Sequence, residues 1–296
     1  PNVRVTETYK SNQKKTEEVV KGEGSSAKIV KRIDYYSNGQ IKAEAKITNK
    51  KLNGKYLAYH PNGVVYQKGQ YKTDKEKGEW TYFNTSGQID SIHTFKEGLL
   101  DGKTEYNVYG KLIIKQEYKS GKKNGNFIEY YTDGNKKVTG SYLMNLPNDE
   151  WTWYDLKEFK TRQINFKNGL KHGDFKVWKD NDLYLSGIFD EDKKSGTWKW
   201  HRAKKDLDSL VNYVNGDING LYEAWYSNGV LSVKGSFESG VPIGKWEWFW
   251  LNRSLMSNVT YDNGAISFEE CYNRSDGSIR DCSKVFSPDD IYFKNE

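Results

Sequence analysis

The sequence predicts an all-β chain, an elongated single-sheet solenoid of tandem antiparallel β-hairpins with about ten repeats of 23–24 residues. Three observations predict it. One segment recurs ten times between Val30 and Phe268 at a nearly fixed period, which means small units that bury their apolar faces only by stacking. Aromatic and β-branched runs of five to seven residues alternate with glycine-bearing turns every 10 to 14 residues, the signature of hairpins. Helical spacing of apolar residues is sustained nowhere.

The repeats open at Val30, Gly54, Gly78, Gly102, Gly125, Asp149, Gly173, Gly196, Gly220 and Gly244. Two positions later stands a large ring or its substitute, such as Tyr56, Trp80, Phe127, Trp151, Phe175, Trp198, Tyr222 and Trp246. Three further on comes a second aromatic column, including Tyr35, Tyr59, Phe83, Tyr130, Tyr154, Trp178, Trp225 and Phe249. A turn follows, often Asn-Gly or Ser-Gly, where glycine supplies the positive φ of a tight hairpin. A third ring column, from Ile47 and Tyr71 to Phe237 and Tyr261, precedes the closing turn. The first two columns lie three residues apart, so strict alternation puts them on opposite faces unless a bulge intervenes. In repeats six, seven, eight and ten the first-turn glycine is replaced by Glu158, Asp182, Lys205 and Arg253, which predicts looser or longer turns there. One hairpin per repeat gives about twenty strands and a ribbon on the order of 90 Å before twisting.

Three segments follow from this pattern: a flexible polar leader over residues 1–29, the repeat region over 30–268, and a C-terminal cap hairpin and tail over 269–296. The leader is rich in Lys, Glu, Ser, Thr and Asn, which fits a lipid-tethered N-terminus or an ordinary disordered tail. Cys271 and Cys282 are symmetric about Asp276-Gly277, a dipeptide favoured in two-residue hairpin turns. That placement makes them a candidate disulfide and points to an oxidising compartment. The tail Ser287-Pro288-Asp289-Asp290 completes the expected cap.

The units resemble the variant MORN (membrane occupation and recognition nexus) repeat, found in tandem in bacterial proteins of the YwqK-like antitoxin group. The resemblance rests on Gly-x-aromatic-x-x-aromatic-x-x-Asn-Gly, as in Gly54 to Gly63 and Gly220 to Gly229, and on the later aromatic-x-x-Gly. It covers about residues 30–268. It implies a hairpin solenoid acting as a scaffold or binding surface, with no catalytic residues to carry over.

Charge and motifs narrow the function classes. The net charge of +6 comes from 46 basic and 40 acidic residues that are interspersed, unlike a gathered nucleic-acid footprint, so no nucleic-acid partner is expected. No apolar run reaches the length of a membrane-spanning helix, so membrane association is expected only through an N-terminal lipid tether. His60, His93, His172 and His201 occupy four different repeat positions, and no clustered metal ligands or nucleophile motif appear. Asp149-Glu150 and Asp190-Glu191-Asp192 place carboxylates close together, the minimum for glycoside hydrolysis, but as turn residues they are read as solvated. Neither a cofactor, a metal nor a catalytic residue is expected, and the chain is read as a non-enzyme.

The sharper signal is Trp-x-Trp at Trp151/Trp153, Trp198/Trp200 and Trp246/Trp248, with Trp250 beyond. Residues two apart on a strand share a face, so Tyr82, Tyr106, Trp153, Trp200, Trp248 and Trp250 form a candidate partner-binding strip. Core packing between hairpins is the competing account of the same rings. The expected function is a scaffold or adaptor giving an extended protein-binding surface in a bacterial cell-envelope assembly. The alternatives are a glycan or cell-wall-binding module and a cytosolic antitoxin-like interaction protein.

Overall fold

The computed structural model describes residues 2–202 and 206–282. They divide into two units. The first, residues 1–147 and 156–158, holds β1 (Asn2–Thr8), β2 (Lys14–Lys21), β3 (Lys28–Tyr35), β4 (Ile41–Thr48), β5 (Lys51–Tyr59), β6 (Val65–Lys72), β7 (Lys75–Phe83), β8 (Ile89–Lys96), β9 (Leu99–Val108), β10 (Lys111–Lys119), β11 (Lys122–Tyr130) and β12 (Lys136–Leu143). The second, residues 148–155 and 159–296, holds nearly all of β13 (Leu146–Tyr154), then β14 (Lys160–Lys167), β15 (Leu170–Lys179), β16 (Asp182–Asp190), β17 (Lys193–His201), β18 (Leu207–Val214), β19 (Asp217–Trp225), β20 (Leu231–Glu238), β21 (Val241–Phe249), β22 (Leu255–Asp262), β23 (Ala265–Tyr272) and β24 (Ile279–Arg280). Within each unit every strand pairs antiparallel with its neighbours in the chain, so each unit is a sheet of consecutive hairpins. The all-β hairpin architecture is the one the repeats predict.

Two kinds of turn build it. The closing turns are two-residue loops with positive φ at both positions, such as Thr73-Asp74 (52° and 65°) and Asn263-Gly264 (50° and 84°). That geometry matches the twist of the strands it joins. Many of these turns also bond the preceding repeat: the amides of Asp74, Gly98 and Gly121 donate to the carbonyls of Leu52, Glu76 and Leu100. Where the second turn residue is Asp or Asn, its side chain answers the bond, as Asp74 accepts from the Leu52 amide at 2.7 Å. The opening turns close with a residue in the left-handed region, Gly39, Gly63 or Gly229 among them. Glu158 (φ 62°) and Arg253 (φ 69°) adopt the same conformation, and their turns keep the same closing bonds, Asp155 N–H to Phe159 and Trp250 N–H to Ser254. Those turns are therefore not loosened. Repeat seven is shorter instead, with Asp180-Asn181 as a two-residue loop and Asp182 already in the strand. Lys205 lies outside the described residues.

Bulges decide which residues share a face. In the β7–β8 hairpin Tyr82 opposes Ser91 and Phe83 opposes Ile89, leaving Asp90 as the extra residue. Tyr66, Thr161, Tyr184, Ser232 and Met256 are extra in the same way. Each extra residue sits on the hairpin's second strand, so the first strand alternates without interruption. Columns one and two, three residues apart, therefore point to opposite faces, and both faces carry rings. Between hairpins a wider irregularity surrounds the leading glycine: Ala45 opposes Tyr56, yet Ile47 opposes Leu52. Gly54 takes φ +118° there, a backbone that side chains rarely adopt, while Asp149 holds its copy of the position at φ 59°.

Columns one and three build the core on one face. Trp80, Trp198 and Trp246 are almost fully buried. Trp80 meets Tyr56, Tyr71, Tyr82 and Phe95 at centroid distances of 5.6, 5.0, 6.5 and 6.3 Å. Trp246 meets Tyr222, Phe237, Trp248 and Tyr261 at 5.7, 5.0, 5.9 and 6.1 Å. Each indole lies flat on a glycine of the preceding strand, Gly69, Gly187 or Gly235, where any β-carbon would overlap the ring. Each indole N–H donates to the carbonyl ten residues back, that of Gln70, Ile188 or Ser236, at 3.1–3.2 Å.

The two chain ends differ from expectation. Over residues 2–29 the expected flexible leader is replaced by paired strands: β1 pairs β2, β2 pairs β3, and Gly24–Ser26 forms a single 3-10 turn. The hairpin is a degenerate copy of the repeat, because its turn has the same bonds, Tyr9 N–H to Gln13 and Asn12 N–H to Tyr9. Its apolar content is too low for a sequence pattern, yet backbone pairing to β3 holds it. At the other end Cys271 and Cys282 form a disulfide with Cα atoms 5.4 Å apart. The register is shifted from the symmetric one: Cys271 opposes Arg280 and Tyr272 opposes Ile279, so the loop is Asn273–Ser278 rather than Asp276-Gly277. Asp276 instead accepts the Ser278 amide at 3.0 Å, an Asx-type turn within that longer loop. The tail from residue 283 lies outside the described residues.

Two stability experiments follow. Gly235→Ala is expected to cost about 1–3 kcal/mol or more by displacing Trp246, and much less in a Trp246→Leu background. Denaturant unfolding of the four proteins reads that coupling, and equal costs in both backgrounds would refute the seating of the indole on Gly235. The second concerns His93, packed against Tyr82, Phe95 and Tyr106. Burial pushes its imidazole below the ordinary 6.5, partly opposed by the Asp90 carboxylate. The unfolded chain therefore binds the proton first, and stability present above about pH 6.5 is lost as pH falls through the folded value. Melting temperature should drop more steeply on acidification in the wild type than in His93→Phe; parallel pH profiles would contradict this.

Candidate functional site

The Trp-x-Trp pairs share a face as their spacing requires, with ring centroids 6.1, 6.4 and 5.9 Å apart. That face is the packed one. Trp200 and Trp248 are buried at 7% and 8% exposure. Tyr82, Tyr106, Trp153 and Trp250 are half-buried, and none of the six expected strip residues is exposed. Tyr82 and Trp248 stack on the buried indoles of Trp80 and Trp246, and Tyr106 packs on His93 at 5.3 Å. The candidate strip is thus the margin of the core. The spacing correctly predicts a shared face, but it does not say which face meets solvent.

Trp250 belongs to a different column, the first residue of the opening turn. Its equivalents clamp one repeat to the next. Tyr9, Tyr36 and Tyr226 donate their hydroxyls to the carbonyls of Tyr35, Tyr59 and Phe249 at 2.7–2.9 Å. His60 Nε2 donates to Phe83 O at 2.9 Å, and Arg202 donates to the carbonyls of Trp225 and Tyr226. Trp250 stands under Arg280 at 5.5 Å, and among the described residues its buried indole N–H has no partner. Tyr, His, Arg and Trp exchange in this column, so no residue type marks it in the sequence. The available signal is the shared position one residue after the second ring column.

The opposite face carries that second column. Tyr35, Tyr59, Phe83, Tyr130, Tyr154, Trp178, Trp225 and Phe249 are all half-buried there. Their neighbours on the face are mostly polar, and lysines of adjacent strands cover several rings: Lys14 over Tyr35, Lys68 over Phe83, Lys160 over Trp178 and Lys234 over Phe249, at 5.2–5.9 Å. Carboxylates interleave with them. Glu247 is held below the ordinary carboxylate range by hydrogen bonds from Lys234 and Lys245, both at 2.8 Å. The two lysines outweigh the opposing effect of its partial burial. At the N-terminal end, burial and then the hydrogen bond to Glu17 push the Tyr35 phenol up to about 12. Between hairpins this face opens into clefts. One of about 380 Å³ is lined by residues that include Lys31, Glu44, Lys46, Lys55 and Leu57.

Groups of catalytic type are engaged in structure. Glu150 accepts from Gln163 and Thr152, and Asp192 accepts the Lys171 amide at 2.9 Å. His172 Nδ1 lies 3.1 Å from Asp190. Burial pushes the His201 imidazole down, with Lys199 adding to the effect. Among the described residues, Glu269, Cys271 and Cys282 bring ligand-type atoms within 4.8 Å of one another, but the disulfide takes up both thiols.

No curated protein sequence matches the chain. Solved structures that match over most of its length include the TcdB2-TccC3-Cdc42 complex, at 11% identity and a TM-score of 0.19 over 88% of this chain and 18% of that one. TcdB2-TccC3 matches at 9% identity and 0.20, over 92% and 20%. The Photorhabdus luminescens Tc holotoxin pore matches at 12% and 0.17, over 92% and 15%. The chain spans no more than about a fifth of these proteins, and such low TM-scores carry no argument about fold or function. The MORN repeat variant family matches residues 52–73, 76–97 and 218–239, which coincide with the hairpins β5–β6, β7–β8 and β19–β20. Three of the chain's hairpin repeats thus match the MORN repeat variant.

Proposed function

We propose that this chain is a non-enzymatic scaffold or adaptor that binds protein along its polar, ring-lined face, as a component of a bacterial cell-envelope assembly. One observation carries the reading. The second ring column repeats through the hairpins half-buried, with lysines and carboxylates beside its rings, whereas the rings of the other face pack on one another around the buried Trp80, Trp198 and Trp246. Half-exposed aromatic side chains with charged neighbours are the material of binding hot spots. The Cys271–Cys282 disulfide supports an oxidising compartment such as the envelope.

The test is site-specific photocrosslinking in intact cells, with a photoreactive phenylalanine analogue placed at Phe83 or Trp178 and, as control, at Tyr109, which is 87% exposed in the two-residue turn between β9 and β10. Protein adducts are expected from the first two positions and not from the control. Adducts of equal yield from all three, or none, would sink the reading. Tryptophan quenching by peptidoglycan fragments without protein adducts would replace it with glycan binding. Alkylation without reductant should leave Cys271 and Cys282 unmodified; labelling of both would place the chain in a reducing compartment.

A further inference from the structure

We infer that the cleft where β3, β4 and β5 meet on the polar face binds an acidic peptide segment of a protein partner. The inference rests on the protein-binding reading above and names the chemistry at one place on that face. The cleft holds about 380 Å³ and is lined by Lys31, Lys46 and Lys55 against a single carboxylate, Glu44. Lys31 pairs with Glu44 at 3.0 Å, which leaves the Lys46 and Lys55 ammoniums without a carboxylate of their own in the lining. Val30 and Leu57 supply apolar lining beside these cations. An alternation of carboxylate and aliphatic side chains meets both demands.

Lys46 is also held in place. Its stem lies across Gly54, where a β-carbon would come within 2.7 Å of the lysine Cδ. Gly54, at φ +118°, thus leaves room for the stem against the backbone, which limits the entropy lost when the ammonium is engaged. The equivalent place recurs along the chain and is filled differently. Against Gly102, Gly125, Gly173 and Gly220 lie Thr94, Glu117, Asn165 and Asn212. Among these copies only the one at Gly54 is a cation.

A built-in comparison lies further along the same unit. The cleft where β9, β10 and β11 meet holds about 230 Å³, and its charged lining is Lys103, Glu105, Lys115 and Glu117, two of each sign. Lys115 and Glu105 stand 3.6 Å apart, and Glu117 accepts the Asn126 amide at 2.9 Å. The two clefts share a backbone plan, and the side chain over the leading glycine changes from Lys46 to Glu117. Their preference for an anion should change with it.

The experiment uses the full chain and a fluorescein-labelled peptide of alternating Glu and Leu, followed by anisotropy, with a Lys–Leu peptide as control. The wild type is expected to bind the acidic peptide alone, at one site, and more weakly as salt rises. Lys46→Glu should weaken binding about tenfold or more, with circular dichroism confirming the fold, and Lys103→Ala should leave it unchanged. Glu117→Lys should add a second site, because it recreates the excess of lysines in the neutral cleft. Equal affinity in Lys46→Glu and wild type, or no peptide binding at all, would overturn the inference. So would binding of phosphatidylglycerol vesicles, lost in Lys46→Glu, without binding of the peptide. If crosslinking at Phe83 and Trp178 persists while the peptide fails, the cleft assignment alone falls; if the peptide binds and those crosslinks are absent, the scaffold reading falls.

Discussion

The fold depends on an indole seated on a missing side chain. At Gly69, Gly187 and Gly235 the strand gives up a Cβ, and Trp80, Trp198 and Trp246 lie flat on the exposed backbone. A glycine inside a strand costs about 0.5–1 kcal/mol relative to alanine. Against that, each aromatic pair contributes about 0.5–1.5 kcal/mol beyond its area burial. Trp80, Trp198 and Trp246 each have four ring neighbours, so the packing outweighs the glycine. The N–H bond to the carbonyl ten residues back then sets the orientation of the ring. The glycine serves its neighbour repeat as well, since it opposes Tyr56, Phe175 or Tyr222 in the ladder. These pairs of repeats therefore work in alternation: the Tyr56, Phe175 or Tyr222 copy is followed by a glycine, and the next copy fills it with Trp, while Thr104 stands outside the pairing, opposite Gln116.

Bulges make that alternation compatible with a fixed period. A repeat of 23 or 24 residues cannot keep three ring columns on chosen faces by simple alternation. The extra residue on each second strand, such as Asp90 or Met256, restores the parity needed for the third column to rejoin the first. The wide irregularity at Gly54 and its copies does the same between hairpins. Tyr71 and Phe95 thereby meet Trp80, while Phe83 is sent to the other face. Bonds in the closing turns and the tyrosine, histidine and arginine clamps at the opening turns then fasten successive repeats at both ends.

Much of this is legible in the residues, and the limits have physical reasons. The hairpins, the turn residues and the shared face of Trp198 and Trp200 follow from spacing alone. Gly69 and Gly235 cannot be distinguished from turn glycines without the register that places them under a ring. The side of the sheet that meets solvent is also hidden, because rings occupy both faces and their exposure depends on what packs across the next strand. Residues 1–29 carry no readable pattern because their hairpin is held by backbone pairing and polar contacts, such as Thr16 to Asp34 at 2.9 Å, rather than by ring columns. The Cys271–Cys282 pairing is visible in the spacing, but its register is not: Asn273–Ser278 closes a longer loop than an Asp-Gly turn.

A division of labour between the faces follows from these constraints. On the ring face a substitution is judged by its fit to four neighbouring rings and a glycine, so Trp, Tyr and Phe exchange only within the alternation. On the polar face the positions flanking the second column meet no such test. Over the leading glycines the side chain is Lys46, Thr94, Glu117, Asn165 or Asn212, with the glycine φ positive beneath each. Charge can vary there from repeat to repeat at little cost to folding, since surface ion pairs are worth about 0–1 kcal/mol. A repeat sheet built this way keeps its architecture in one set of columns and is free to place specificity in the other. The sign change between Lys46 and Glu117 is one of the differences that separate two clefts built on the same backbone plan.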